Sequence, residues 1–278
     1  MRIVLVLWLR NIKLFFRNRT QLVLILIMPF FYLYLLSTIF KSAFISNPVH
    51  YVLSGIVIIV VFQTSLNIAT STIEDIVSGY MKEVLVSPVK RIQIAAGQIL
   101  SSTTVATIQG FLILIVGYFI GLKYNSILTP IAVVVSMIFV GFVFSSFGLL
   151  LAASVKNSQT FQIVTMAVTT PITFLCGVYV PLSLLPNGLQ YIALLNPMTY
   201  AAAFFRTLTL EKMSLTTDEL IAEQLAFKVS GFVITPQISF VIVLSFGILC
   251  FMLSSAVFTR IDFSKMNRSG VQKDIFQQ

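Results

Sequence analysis

The sequence predicts an all-α membrane protein with six transmembrane helices, an N-terminal amphipathic interfacial helix, and short re-entrant helices before the last span. Three observations predict this class. Of 278 residues, 58% are hydrophobic and only 10% are charged. A soluble domain carries roughly a quarter charged residues, so this chain cannot dress a fully water-facing surface. The apolar residues fall into runs of about 20, the length a helix needs to cross a bilayer. The basic residues gather on alternate connections, as the positive-inside bias requires.

Residues 1–19 open the chain as an amphipathic helix. Arg2, Arg10, Asn11, Lys13, Arg17 and Asn18 share one half of its circumference, with Trp8, Ile12, Phe15 and Phe16 on the other. Leu7 and Leu14 interrupt the polar arc. Such a helix lies in the membrane interface with its cations toward anionic head groups. A cleaved signal peptide is disfavoured, because the apolar run after Arg19 is too long for an h-region and lacks an A-x-A site.

Residues 20–260 form the transmembrane domain. The expected spans are Leu22 to Phe40, Tyr51 to Thr72, Gln93 to Gly121, Pro130 to Val155, Thr160 to Val180 and Pro236 to Thr259. Pro29 and Pro171 interrupt the first and fifth, which membrane helices tolerate. Between the second and third spans, residues 74–91 hold the densest charge cluster separating two spans. After Val180, Pro181, Pro186, Asn187, Gly188, Asn196 and Pro197 break a stretch that stays apolar to Phe205. The pieces are too short to span. They must pack against protein or water, because irregular backbone is not tolerated in lipid. Residues 181–206 are therefore read as short helices that dip into the membrane and return. Leu210 to Gly231 is polar enough to lie outside, and 261–278 form a polar, basic tail with loose order.

Orientation follows from the cations. Arg2, Arg10, Lys13, Arg17, Arg19, Lys82, Lys90, Arg91, Lys156, Arg260, Lys265, Arg268 and Lys273 fall on one side, and Lys41, Lys123, Arg206, Lys212 and Lys228 on the other. That imbalance puts both termini in the cytoplasm of a multi-pass protein of the cell (plasma or inner) membrane. The net charge of +9 is read as this bias, not as an affinity for nucleic acid.

Much chemistry is excluded. There is no G-x-x-x-x-G-K-[ST] loop, no H-E-x-x-H and no G-x-S-x-G. His50 is the sole histidine, and Cys176 and Cys250 sit in apolar runs without metal-site spacing. No catalytic, cofactor-binding or metal-binding residue is expected in this chain. The acidic residues all lie in loops or at span ends, whereas ion-coupled transporters carry ionisable groups at membrane depth. A protein of this kind that moves a solute takes its energy from outside the chain.

The segment 74–91 is the candidate receiver. Ile76, Val77, Tyr80, Val84 and Leu85 recur at helical spacing, Glu74, Asp75, Lys82 and Glu83 supply both signs of charge, and Gly79 and Pro88 supply a bend and a stop. Two readings stay open: a helix that seats in the groove of a soluble partner, or a charged loop that only solvates the span ends. Gly117 and Gly121 form a GxxxG, read more as ordinary membrane glycines than as a helix-pairing face. Arg206, beside an apolar run, is expected to snorkel to head groups rather than to meet an anionic substrate.

Four stretches resemble a known family. They are Arg17-Asn18-Arg19 followed by Pro29, Tyr51 to Ile56 (with Ser54 where proline is more usual), Gly79 to Arg91, and the set Gly177 to Pro181, Leu185-Pro186, Asn196 to Tyr200 and Arg206. Together they are similar to the permeases of type-2 ABC exporters, in particular the drug-resistance and nodulation-factor branch. The resemblance implies a permease dimer, of identical or different subunits, on separate ABC ATPase subunits that hold the ATP and Mg. It implies that Glu74, Asp75, Gly79, Lys82, Glu83, Pro88 and Arg91 belong to the coupling helix that seats in the ATPase. It places Gly177, Pro181, Pro186, Asn196, Pro197, Tyr200 and Arg206 in an outer re-entrant region. The cargo it suggests is hydrophobic or amphiphilic: a drug, a lipid or a lipid-linked glycan. Tyr32, Tyr34, Phe62 and Phe174 either stack on such a cargo or pack and meet lipid. The competing classes are an ion-coupled secondary transporter and a non-transporting membrane assembly protein.

Overall fold

The structure, a computed structural model, describes residues 2–20, 23–24, 27, 31–35, 48–77, 91–155, 158–229 and 232–260, with 2–3, 48, 68–77, 91, 229 and 258–260 described by backbone alone. Its helices are α1 (Arg2–Arg17), α2 (Pro48–Val77), α3 (Arg91–Ile120), α4 (Leu128–Ala153), α5 (Ser158–Leu175), α6 (Asn187–Leu195), α7 (Pro197–Thr209), α8 (Thr217–Ala222) and α9 (Pro236–Arg260). A 3-10 turn, Leu182–Leu184, precedes α6, and strands β1 (Phe227–Val229) and β2 (Phe232–Ile234) pair antiparallel with Lys228 opposite Val233.

Among the described residues, four segments are long and apolar enough to cross a membrane: Val49–Asn67, Ile92–Ile120, Leu128–Ala153 and Pro236–Val257. They correspond to the second, third, fourth and last expected spans. The first expected span, 22–40, lies largely outside the described residues. The fifth is covered by α5, which stops at Leu175 rather than Val180 and is not among those four. Its end is set by Gly177, whose φ of +78° turns the chain where an L-residue would be strained.

Helices α2, α3 and α4 pack on one another, α9 packs along α4 and α7, and α7 also touches α2 and α4. Their shared core is apolar, with Phe62 and Phe144 edge to face at 4.7 Å. Phe62 is thus a core residue, not a stacking surface for cargo. Hydroxyl groups enter this core because the helix satisfies them. Ser65 donates to the Val61 carbonyl at 2.7 Å and Thr103 to Ile99 at 2.8 Å. Thr64 also hydrogen-bonds Gln109 across the α2–α3 contact.

The Gly117–Gly121 pair resolves into two separate roles. A Cβ on Gly117 would collide with the Leu53 side chain, so this glycine admits α2 against α3. Gly121 ends α3 with φ +109°. The Leu122 amide bonds the Gly117 carbonyl at 3.0 Å and the Gly121 amide bonds Tyr118 at 3.2 Å, a Schellman stop.

The expected outer segment from Leu210 is more structured than a loop. Thr216 and Glu219 close a capping box on α8, and the β1–β2 pair follows. Strands of three residues are too short to leave an alternation in the sequence.

Candidate functional site

Arg206 sits on α7, and its surroundings are built from the helix start upward. Asn196 caps α7: its Oδ1 accepts from the Met198 amide at 2.9 Å, while its Nδ2 donates to the Ile172 carbonyl of α5 at 2.8 Å. Pro197 follows at the first helical position, where a missing N–H costs nothing. The Thr199 hydroxyl donates to Ala193 at 2.7 Å, and the Tyr200 hydroxyl donates to the Leu194 carbonyl. Asn196 and Tyr200 thus tie α7 to α5 and α6. Pro181 and Pro186 precede the 3-10 turn and α6 as their N-caps. The structure brings Gly177, Pro181, Pro186, Asn196, Pro197, Tyr200 and Arg206 into one block formed by the end of α5, α6 and α7.

Arg206 itself is only 2% exposed. Its guanidinium carbon lies 3.6 Å from the centroid of the Tyr51 ring, and its Nε donates to the Tyr51 carbonyl at 3.3 Å. The same carbonyl accepts from Ser54 Oγ at 2.8 Å. Nη2 has no hydrogen-bond partner among the described residues. Arg206 therefore does not snorkel. α7 is packed on α2, α4 and α9, so its cation is enclosed by protein before it can reach head groups. Gly55 makes the space: a Cβ there would lie 2.7 Å from Nη2 and 2.6 Å from Val178 Cγ1.

Helix α1 has three faces. Leu7, Asn11 and Phe15 are buried against protein, Leu5, Leu9 and Phe16 are exposed apolar residues, and Lys13 and Arg17 are exposed cations. Asn11 leaves the polar arc expected of it, because its Nδ2 donates to Gln98 Oε1 of α3 at 2.9 Å. Trp8 Nε1 donates to Thr104 Oγ1 at 2.9 Å, fixing the same crossing.

Of the expected coupling residues, Glu74 and Asp75 belong to the last turns of α2, which runs on to Val77, and Arg91 opens α3. Gly79, Lys82, Glu83 and Pro88 lie outside the described residues. Tyr32 and Phe174 flank Tyr179, with ring centroids at 5.8 and 5.4 Å.

Sequence reasoning missed Glu211. It follows α7 with φ 55°, and its carboxylate accepts from Thr129 Oγ1 at 2.6 Å, Asn125 Nδ2 at 2.7 Å and the Asn125 amide at 3.1 Å. It holds the entry to α4, where helix N–H groups favour an anion. The Thr129 hydroxyl first, then the Asn125 amide, keep its pKa below the ordinary carboxylate value. The stabilisation is therefore present above the unfolded pKa and is lost as pH falls through the lower folded one. Hydrogen exchange at Asn125 and Ser126, corrected for intrinsic rates, is expected to accelerate only once acid protonates Glu211, below the ordinary carboxylate range. Glu211→Ala should show fast exchange at neutral pH and no acid step; slow exchange in that variant would refute the cap.

A family profile described as ABC-2 type transporter matches residues 2–210. The chain is 26% identical over 247 residues to the transport permease ycf38 of Cyanophora paradoxa, covering 85% of this chain and 82% of the relative. It is 27% identical over 158 residues to the inner membrane transport permease YadH of Escherichia coli K12, covering 56% of this chain and 60% of YadH. With long apolar helices in the fold and a family match that spans most of its length, the chain belongs to the ABC-2 type transporter family, as a membrane permease.

Proposed function

We propose that this permease is the membrane half of an ATP-driven exporter that moves a hydrophobic or amphiphilic substrate out of the cytoplasm or inner leaflet. Members of this family work with ATPase subunits, and the partners proposed here are two separate ABC ATPase subunits, carrying ATP and Mg, and a second permease. In this reading residues 20–260 make six spans with both termini cytoplasmic, residues 1–19 lie in the interface, and 261–278 form the tail. Residues 74–91 dock on the ATPase through Glu74, Asp75, Gly79, Lys82, Glu83, Pro88 and Arg91. The 181–206 block is an outer re-entrant region, and the drug-resistance and nodulation-factor branch is the proposed placement.

One observation carries the reading. The segment 78–90 joins α2 and α3, which pack along each other at the centre of the fold. Displacing that connection levers two central helices at once, and the Asn11–Gln98 and Trp8–Thr104 bonds make α1 follow α3. The three faces of α1, one against protein, one apolar and one cationic, support its placement at the interface. The apolar spans favour an amphiphilic cargo over a small ion.

Charge reversal at Glu83 is expected to weaken co-purification of an ATPase subunit and its stimulated hydrolysis by about tenfold, the scale of a broken charged contact at an interface. Transport of fluorescent lipids and drugs in vesicles should stop when ATP is depleted and a proton gradient is kept. Continued transport there would favour a secondary transporter, and recovery of no ATPase with no transport would favour an assembly protein.

A further inference from the structure

A polar pocket of about 130 Å³ lies where four helix ends meet. His50 of α2, Lys123 after α3, Asn125 before α4, and Thr209, Glu211 and Lys212 at the end of α7 stand in its wall. His50 and Lys123 mark the limits of two apolar segments: Val49–Asn67 begins beside the histidine, and Ile92–Ile120 ends just before the lysine. The pocket is therefore at the depth of lipid head groups, not of acyl chains.

Most polar groups of this wall are already spent. The Glu211 carboxylate accepts from the Thr129 hydroxyl at 2.6 Å, from Asn125 Nδ2 at 2.7 Å, and from the Asn125 and Ser126 amides at 3.1 and 3.4 Å. The same bonds occupy Asn125. The Thr209 hydroxyl donates to the Phe205 carbonyl at 2.8 Å, and Lys212 Nζ pairs with Glu223 at 2.7 Å. His50, half-buried, and Lys123, exposed, are what is left. Neither has a hydrogen bond or an ion pair among the described residues.

That remainder selects the ligand. An ammonium has three donors and no acceptor, and an imidazole supplies an N–H. Their complement is an acceptor that carries negative charge. A cation is repelled by Lys123 and Lys212, and a neutral hydroxyl leaves the Lys123 charge unmatched. The one carboxylate in the wall opposes an anion weakly, because its charge is spread over four donors. Phosphate is the anion that a phospholipid head group offers at this depth. The convergence does not come from a generally basic surface. Of the five cations expected on this side, Lys41 lies outside the described residues, Arg206 is enclosed and Lys228 is on β1. The remaining two meet here with the sole histidine, from positions far apart in the chain.

We propose that this pocket binds a phosphate group, from a lipid head group or as the free ion, through His50 and Lys123. The bound phosphate ties the start of α2 to the end of α3, at the end of the helix pair opposite residues 78–90. The site is independent of the transported cargo.

The test is lysine acetylation of the full chain in a phosphate-free maltoside detergent, read by peptide mass spectrometry. At ten times its Kd, inorganic phosphate should slow acetylation of Lys123 about tenfold by occupancy alone. The exposed Lys228 should not respond. Chloride at equal ionic strength and dihexanoylglycerol should leave Lys123 unprotected. Protection by dihexanoyl phosphatidate at lower concentration than inorganic phosphate assigns the site to a lipid head group, and the reverse order assigns it to the free ion; either upholds the phosphate site. His50→Ala should raise the concentration needed about tenfold, the loss of one hydrogen bond to a charged group, and His50→Gln, which keeps an N–H, should recover part of it. Thermal unfolding identifies the variants that fold. No protection of Lys123 by either phosphate probe, equal protection by dihexanoylglycerol or of Lys228, or undiminished protection in folded His50→Ala would each overturn the proposal.

Discussion

Arg206→Ala is expected to destabilise the folded permease by about 2–5 kcal/mol, the scale of emptying a large buried site. The guanidinium lies 3.6 Å from the Tyr51 ring centroid and donates from Nε to the Tyr51 carbonyl. A desolvated cation–π contact contributes about 2 kcal/mol and a hydrogen bond from a charged group about 1.5–3. Alanine also opens a cavity at a position 2% exposed. Arg206→Met should cost much less, because an apolar side chain of similar length fills the space and removes the charge with its desolvation. Arg206→Glu should prevent folding, since it places an anion over the negative face of the Tyr51 ring. Tyr51→Ala should be severe. Thermal unfolding in detergent or nanodiscs checks the order Met, Ala, Glu. If alanine lies within about 0.5 kcal/mol of the native chain, the range of an ordinary surface change, the Arg206–Tyr51 contact does not hold α7 to α2.

Gly55→Ala is expected to cost about 1–3 kcal/mol by overpacking. The added Cβ would meet Val178 Cγ1 at 2.6 Å and Arg206 Nη2 at 2.7 Å. The arginine tip can swing aside, because it is the far end of a long side chain. Val178 cannot yield as easily: it is fully buried and follows the turn at Gly177. The second-site test separates the two contacts. Val178→Ala should restore much of the stability of Gly55→Ala, and Arg206→Met should restore little. Rescue by the arginine change alone would reverse the assignment of the tight contact. Because α2 carries both Tyr51 and Gly55, and leads directly into the segment proposed to dock on the ATPase, both variants should also impair transport in folded protein.

Several features were legible because they are local. The break at Asn196 and Pro197 was one, and the structure makes it the start of α7, with Asn196 the cap and Pro197 the first helical residue. Four of the six expected spans correspond to α2, α3, α4 and α9, since hydrocarbon length and composition decide a span without reference to neighbours. The glycines at 117 and 121 were legible only as spacing. Their separate roles, one a contact and one a helix stop, depend on Leu53 and on a φ of +109°.

The sequence by itself determined the membrane class, the main helices, the absence of a P-loop and the breaks between Pro181 and Pro197. Tertiary structure alone decided that Arg206 is enclosed rather than snorkelling, that Asn11 faces Gln98, and that Glu211 holds the entry to α4. The physical reason is separation along the chain. Arg206 and Tyr51 are 155 residues apart, and Glu211 and Thr129 are 82 apart. Periodicity and composition report which face of a helix is apolar, but they carry no record of which distant polar group waits on the helix packed against it.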